Sequence, residues 1–217
     1  MRFRNDVVGP NMKFVGSILC LLALVACSGC NERNIRGDYA PQLGDLLFQS
    51  LPHNELVDAI EGASKSPYSH CGIVVKRGDV WHVLEANGPG VREVELDRWI
   101  GQGRRSSFVV YRFHEKYAPQ VGSIIAAARK FLGKPYDIHY DLDDAKIYCS
   151  ELIYKAFLDA TGEELGTIRK LGELDWKPHE AIIRKIENGG LPLERKMITP
   201  GDMAAAKQLQ QVYRKGM

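Results

Sequence analysis

An α+β domain, with a small antiparallel sheet or partial barrel packed against helices, follows from three features of the chain. Runs of β-branched and aromatic residues, Leu46-Leu47-Phe48, Gly72-Ile73-Val74-Val75 and Phe108-Val109-Val110-Tyr111-Arg112-Phe113, all fall before residue 114. Beyond residue 113 the apolar spacing lengthens from two to helical, and strands followed by helices are the α+β pattern. The chain has 217 residues, 45% of them hydrophobic and 26% charged, which suffices for one core but not comfortably for two. The same composition excludes disordered, collagen-like and multi-span membrane classes.

Ahead of the domain, residues 1–26 read as a removable leader. Arg2, Arg4 and Lys13 precede an apolar run of 13 residues, Phe14 to Ala26. That is too short to cross a bilayer and right for a signal-peptide core. Leu24-Val25-Ala26-Cys27 resembles the bacterial lipobox, so Cys27 is expected to be the lipid anchor and the mature N-terminus. A buried helix with an incidental cysteine is the plain alternative, but basic start, short core and small residues before Cys27 agree with one another. Ser28 resembles the sorting residue of lipoproteins sent to the outer membrane, which places the protein in the bacterial envelope, facing the periplasm, with the membrane as a partner. Met12 is an alternative start. Residues 28–42 are polar with Gly29, Gly37 and Pro41 and read as a tether, leaving 43–217 as the domain. The leader carries three basic residues and one acidic, so its removal takes the formal charge from +2 to zero. No basic face for nucleic acid is expected.

Within the domain, Gly44-Asp45-Leu46-Leu47-Phe48 is a turn entering a buried strand. Asn54 is a candidate N-cap for a short helix to Ile60. Residues 69–76 and 79–86 should pair as a hairpin across Arg77-Gly78, and 108–113 is a third strand. Val121, Ile124, Ile125, Ala128 and Leu132 share a helical face, with Pro119 near its start and Gly133 and Pro135 at its stop. A second helix carries Cys149, Leu152, Ile153, Ala156 and Phe157 on its buried stripe, with Glu151 and Lys155 as an exposed i, i+4 pair. A last helix is expected over 203–213.

Of five cysteines only Cys71 and Cys149 belong to the domain, too few for a disulfide framework. Cys149 opens its helix, where the macrodipole and free N–H groups favour thiolate. A nucleophile there needs a base, and the base an orienting partner. His53, His70, His82, His114, His139 and His179 are the candidates. His70 begins a buried strand, and alternation places its side chain opposite that of Cys71. If His70 faces the site, Cys71 points away from it. Glu85 on the adjacent strand could cross to a His70 ring nitrogen, with His82 the alternative if the register is shifted by one.

Gly44-Asp45-Leu46-Leu47-Phe48, Ser69-His70-Cys71-Gly72-Ile73-Val74-Val75, Gly133-Lys134-Pro135-Tyr136 and Tyr148-Cys149-Ser150-Glu151-Leu152-Ile153 resemble the signature segments of the NlpC superfamily of papain-like cysteine hydrolases. Their order resembles its circularly permuted branch, which holds YiiX-like bacterial proteins and relatives of lecithin:retinol acyltransferase, because here the strands precede the Cys helix. Ile198-Thr199-Pro200-Gly201-Asp202 extends the likeness. The resemblance implies a permuted papain-like fold, Cys149 as nucleophile, His70 as base and Glu85 as the third polar member. Tyr136 is a candidate substrate wall or oxyanion donor. Cys71 stands where the family usually has Val.

A cysteine hydrolase acting on an amide or ester through a thioester is the function this implies. Peptidoglycan stem peptides are the first substrate expectation and lipid-linked acyl groups the second, the latter with acyl transfer as an alternative outcome. A non-catalytic envelope-binding lipoprotein is the rival from another class. No cofactor is expected, and no metal. Asp137, His139, Asp141, Asp143 and Asp144 fail the calcium-loop pattern, since Leu142 and Tyr148 fall where Gly and Glu are required. That run reads as a solvated acidic lip. Trp81, Trp99 and Trp176 read as core or rim residues.

Overall fold

Alternation of side chains along the first strands dictates two apolar layers, one on each face of a sheet. The computed structural model, which describes residues 35–217, has this arrangement. In chain order it contains β1 (Leu46–Gln49), α1 (Glu55–Ser64), β2 (His70–Arg77), β3 (Val80–Asn87), β4 (Gly90–Glu95), α2 (Leu96–Gln102), β5 (Phe108–Phe113), α3 (Val121–Arg129), α4 (Cys149–Thr161), β6 (Arg169–Lys170), α5 (Glu180–Ile186), β7 (Lys196–Met197), α6 (Pro200–Ala204) and β8 (Leu209–Lys215). Six strands form one antiparallel sheet in the order β4-β3-β2-β1-β5-β8.

Leu46, Phe48, Ile73, Val75, Leu84 and Val109 point to the face covered by α3 and α4. Leu47, Val74, Val83 and Val110 point to the other, where Leu96, Trp99 and Ile100 of α2 close a smaller core with Tyr39 and Phe108. On α4, Leu152, Ile153, Ala156 and Phe157 are all fully buried. At about 1.5–3 kcal/mol for each large apolar side chain, this stripe outweighs the cost of setting the start of the helix inside the protein. Asn54 caps α1, its side chain accepting from the Val57 N–H at 2.9 Å.

Four expectations are corrected. Residues 203–213 are not a helix. Thr199 and Pro200 start the one-turn α6, and Leu209–Lys215 then runs extended as β8. The reason is the open edge of β5, whose backbone groups β8 satisfies through a register shift at Val110/Tyr111. Residues 35–42 do not form a tether: Tyr39 is buried, its ring meets Phe108 and Tyr213, and Tyr213 donates its hydroxyl to the Arg36 carbonyl. Glu151 is wholly buried rather than exposed, ion-paired to Lys155 at 3.0 Å. The acidic run is only in part a solvated lip, because Asp137 is buried and accepts the N–H groups of His139 and Asp141. Neither β4, α2 nor α5 was expected. The leader, Cys27 and Cys30 lie outside the described residues.

Asp45 fastens the layers at the mouth of β1. Its carboxylate is inaccessible and accepts from Tyr39 Oη at 2.8 Å, from Arg112 at 2.7 and 3.0 Å, and from the Gln42 N–H at 2.9 Å. Removing one partner of a buried ion pair leaves the other uncompensated. Asp45→Ala is therefore expected to lower unfolding stability by about 3 kcal/mol, read from the midpoint of urea unfolding. A loss under about 1 kcal/mol would place Asp45 in water rather than in this network.

Candidate active site

The apolar stripe of α4 draws its first residue, Cys149, against the sheet, and the residue is 2% exposed. Tyr148 occupies the N-cap position, and Glu151 accepts its N–H at 3.1 Å. Its hydroxyl in turn accepts the Ile198 N–H at 3.0 Å. The helix start is thus anchored from both sides, with the Cys149 sulphur at its positive end.

Beneath it, the β2–β3 ladder runs from the Arg77/Val80 end only as far as Ile73 opposite Leu84. His70 and Glu85 lie just beyond the last rung, where the strands separate and two polar side chains can meet. His70 Nε2 is 2.6 Å from Glu85 Oε2, with both side chains almost inaccessible. Arg92 of β4 grips the other oxygen, Nε at 3.0 Å and Nη2 at 2.9 Å, from its register position opposite Glu85. The His70 ring stacks on Trp99 with centroids 5.7 Å apart. Gly72 makes room for this stack: a Cβ there would lie 2.3 Å from Val83 Cγ1 and 3.5 Å from the Trp99 indole nitrogen.

With Nε2 committed to Glu85, Nδ1 is the ring nitrogen left to face Cys149, which lies near enough to act on the imidazole. Cys71 also lies near enough to act on the Cys149 thiol. These neighbours, Cys71 first and then the His70 charge, overcome burial and hold the Cys149 thiol well below its usual range. Burial works against protonation of His70, but the neighbouring Cys149 and Glu85 prevail and push it up to about 10. Burial alone would raise the Glu85 carboxyl, whereas the His70 and Arg92 contacts bring it down. The arrangement is a thiolate–imidazolium pair oriented by a carboxylate, the form suited to attack on an acyl carbon.

Cys149, His70 and Glu85 are thus brought together. His82 is not among them, its Nδ1 lying 3.1 Å from the Val80 carbonyl oxygen. Tyr136 lies close enough to feel the Cys149 charge, and its hydroxyl is 3.2 Å from that of Tyr140. Burial keeps both hydroxyls protonated, and therefore able to donate. Cys71 departs from expectation. It does not turn away from the site but shares the α4 face with Ile73 and Val75, while His70, the first residue of β2 and paired there only to β1, rests its ring on Trp99 of the opposite layer.

Sequence reasoning passed over Arg92 and read Trp99 only as a core or rim residue. The turn signal Asn87-Gly88-Pro89-Gly90 before alternating Val91-Arg92-Glu93-Val94 could have disclosed β4 and with it Arg92. Nothing local marks Trp99 as the platform for His70.

Next to the site, a cavity of about 100 Å³ opens between α1, α5 and the start of α4. Its wall is almost wholly apolar, with Ile60, Ile138, Leu174 and Ile183 among its residues, and Tyr140 and Ser150 on the side towards Cys149. Among the described residues no three His, Cys, Asp or Glu side chains are grouped so as to hold a metal ion.

Residues 40–213 match the family described as permuted papain-like amidase enzyme, YaeF/YiiX. A curated Escherichia coli relative, named uncharacterized protein YiiX, is 33% identical over 177 residues, covering 80% of this chain and 87% of the relative. A crystal structure described as metalloprotein YiiX from Escherichia coli matches with a TM-score of 0.76 and 33% identity, over 82% of this chain and 99% of that one.

Proposed function

Since the chain belongs to the YaeF/YiiX family of permuted papain-like amidases, and is a cysteine hydrolase of that class, we propose that Cys149 is its nucleophile, His70 its acid–base and Glu85 the group that orients His70. The observation that carries this reading is the chain of contacts from Glu85 through His70 to the thiol at the start of α4. Cys149 sulphur attacks the carbonyl carbon of an amide. The C=O π electrons move to oxygen, where the Cys149 main-chain N–H and the Tyr136 hydroxyl supply donors. His70 Nδ1 then gives its proton to the departing amine as the C–N bond breaks, leaving a thioester. Water, deprotonated by His70, attacks the thioester and returns the thiol.

Two substrate classes fit an envelope enzyme, peptidoglycan stem peptides and lipid-linked acyl groups. The apolar cavity flanking Tyr140 and Ser150 favours a substrate with an aliphatic group next to the scissile carbonyl, and so lends weight to the second. Acyl transfer to an acceptor other than water would use the same thioester. For location, the reading is export followed by lipidation at Cys27 and retention at the outer membrane, supported by the basic start, the short apolar run and the small residues before Cys27. Among the described residues no His, Cys, Asp and Glu side chains are grouped as ligands for a metal such as the name of the crystallised relative implies.

The test incubates purified protein with a panel of stem peptides and a panel of N-acyl and ester lipids, quenches in acid and weighs the intact protein. An acyl mass on Cys149 from one panel, with release of the matching acid or its transfer product, is expected. No adduct and no product from either panel would sink both substrate readings. Cell fractionation tests the anchor: Cys27→Ser should move the protein out of the membrane fraction.

A further inference from the structure

Between α3 and α4 stands one residue to which the chemistry above gives no task. Tyr140 takes a left-handed backbone, φ 59°, which is costly for an aromatic residue and persists only where its surroundings over-determine it. The buried Asp137 carboxylate does so, one oxygen accepting the His139 N–H at 3.0 Å and the other the Asp141 N–H at 2.6 Å. The Tyr140 ring is thereby set edge-on against that of Tyr148, centroids 5.0 Å apart, one residue ahead of Cys149. Its hydroxyl lies 3.2 Å from the Tyr136 hydroxyl. Tyr136 is itself tied to the approach to α4 by a bridge to Ile147, which donates its N–H to the Pro135 carbonyl at 2.9 Å and accepts that of Asp137 at 3.3 Å. Two half-buried phenols are thus held as a pair beside the helix start.

A phenol has one proton to donate and two lone pairs to accept with. When two phenols share a hydrogen bond, one donates and the other keeps its own proton to place elsewhere. Among the described residues neither hydroxyl has another hydrogen-bond partner, so the surroundings set the direction. Tyr140 lines the apolar cavity, where Ile138, Ile183 and Ile198 offer its proton nothing, and the single carboxylate of that lining, Glu187, is held by Arg195 at 2.6 and 3.1 Å. Tyr136 lies outside the cavity. We propose that the Tyr140 hydroxyl donates to Tyr136 Oη and that Tyr140 is a positioning residue, which turns the Tyr136 O–H toward the oxyanion formed when Cys149 attacks the carbonyl. The inference rests on Tyr136 being an oxyanion donor, as in the preceding section. Accepting a hydrogen bond also polarises the Tyr136 O–H and makes it a stronger donor. The oxyanion exists only after attack, so the Tyr140 hydroxyl lowers the barrier and leaves the binding of substrate alone.

The test is a double-mutant cycle on full-length protein with p-nitrophenyl acetate, whose acetyl group is too short to draw on the apolar cavity. Tyr136→Phe, Tyr140→Phe and the double variant are compared with the parent in kcat, KM and Tm. Each substitution removes one oxygen and keeps the ring, and Asp137 and Tyr148 still hold position 140. Tyr136→Phe is expected to lower kcat by about 10²-fold or more, as loss of an oxyanion donor does. Tyr140→Phe is expected to lower kcat about 5- to 10-fold, the worth of one hydrogen bond, with KM unchanged. In the Tyr136→Phe background the same substitution should cost less than about twofold, because the group it acts through is gone. General damage to the fold would instead cost both backgrounds alike. A Tyr140→Phe loss that is equal in the two backgrounds, that falls on KM, or that is absent while Tyr136→Phe keeps its effect, overturns the inference alone. A kcat that survives Tyr136→Phe removes Tyr136 from the oxyanion and this inference with it. No Cys149-dependent release of p-nitrophenol overturns the hydrolase reading itself.

Discussion

Cys149→Ala is expected to reduce turnover by about 10⁴–10⁶-fold while leaving the fold and substrate binding in place. The sulphur is the atom that forms the covalent bond, and no neighbour can take its part. Burial and the neighbouring Cys149 hold the Cys71 thiol up, so it stays protonated and poorly nucleophilic. The Tyr136 and Tyr140 hydroxyls are held protonated in the same way. Alanine suits a helix start and removes little volume, and α4 keeps Leu152, Ile153, Ala156 and Phe157 in the core. Thermal unfolding of the variant should therefore stay close to that of the parent. Binding of the cognate acyl compound, measured by calorimetry on the inactive variant, should persist. If Cys149→Ala keeps more than about one hundredth of the parental turnover, the nucleophile has been misplaced.

His70→Ala is expected to cost about 10²–10⁴-fold in turnover and to move the alkylation inflection of Cys149 upward. Cys149 is held low, so its thiolate exists above that low value. His70 is pushed up to about 10, so its imidazolium persists until the pH rises through that point. The charged pair therefore spans the interval between the two. Activity should climb on the acid side as Cys149 loses its proton and fall on the alkaline side, near pH 10, as His70 loses its own. Removing the imidazole abolishes the alkaline limb. The acid limb shifts toward the range of an ordinary thiol, about 8.5, with the neighbouring Cys71 retaining part of the depression. Iodoacetamide rate against pH, read on both proteins by the mass of the peptide 147–155, measures the shift. An inflection unmoved by the substitution would mean that Cys71 and the helix dipole activate Cys149 without His70. Glu85→Gln should displace the limbs in the same direction but less, because Arg92 and Trp99 still bound the pocket in which His70 sits.

Most of the functional constellation could be read along the chain because its members are fixed by local patterns. The helical stripe from Cys149 to Phe157 placed the thiol at a helix start, and the β-branched runs placed His70 and Glu85 on adjacent strands. The register between those strands was legible only to within a residue. It is settled by the Arg77/Val80 turn and the packing of Val74 and Val83 against α2. Leu209–Lys215 shows the opposite case. Its Gln, Lys and Leu residues suit a helix, and its strand geometry comes from the unpaired edge of β5, which has no trace in the local sequence. Residues 35–42 follow the same logic: polar composition suggests a tether, but Tyr39 alone, seated on Phe108 and bonded to Asp45, is enough to hold them.

The sequence by itself determined the α+β class, the permuted order of its motifs and the residue types of the site, since periodicity and helix-start chemistry are properties of neighbours along the chain. The tertiary structure decided the partners. Arg92 meets Glu85, Trp99 supports His70, and Cys71 and Cys149 fall in one buried layer because the β2–β3 ladder ends at Ile73 and α4 packs against both strands. Alternation places His70 on the Trp99 face, opposite Cys71, but that a side chain at the first position of β2, paired to β1 alone, also meets Glu85 and faces Cys149 is decided by how β3 and α4 pack around it.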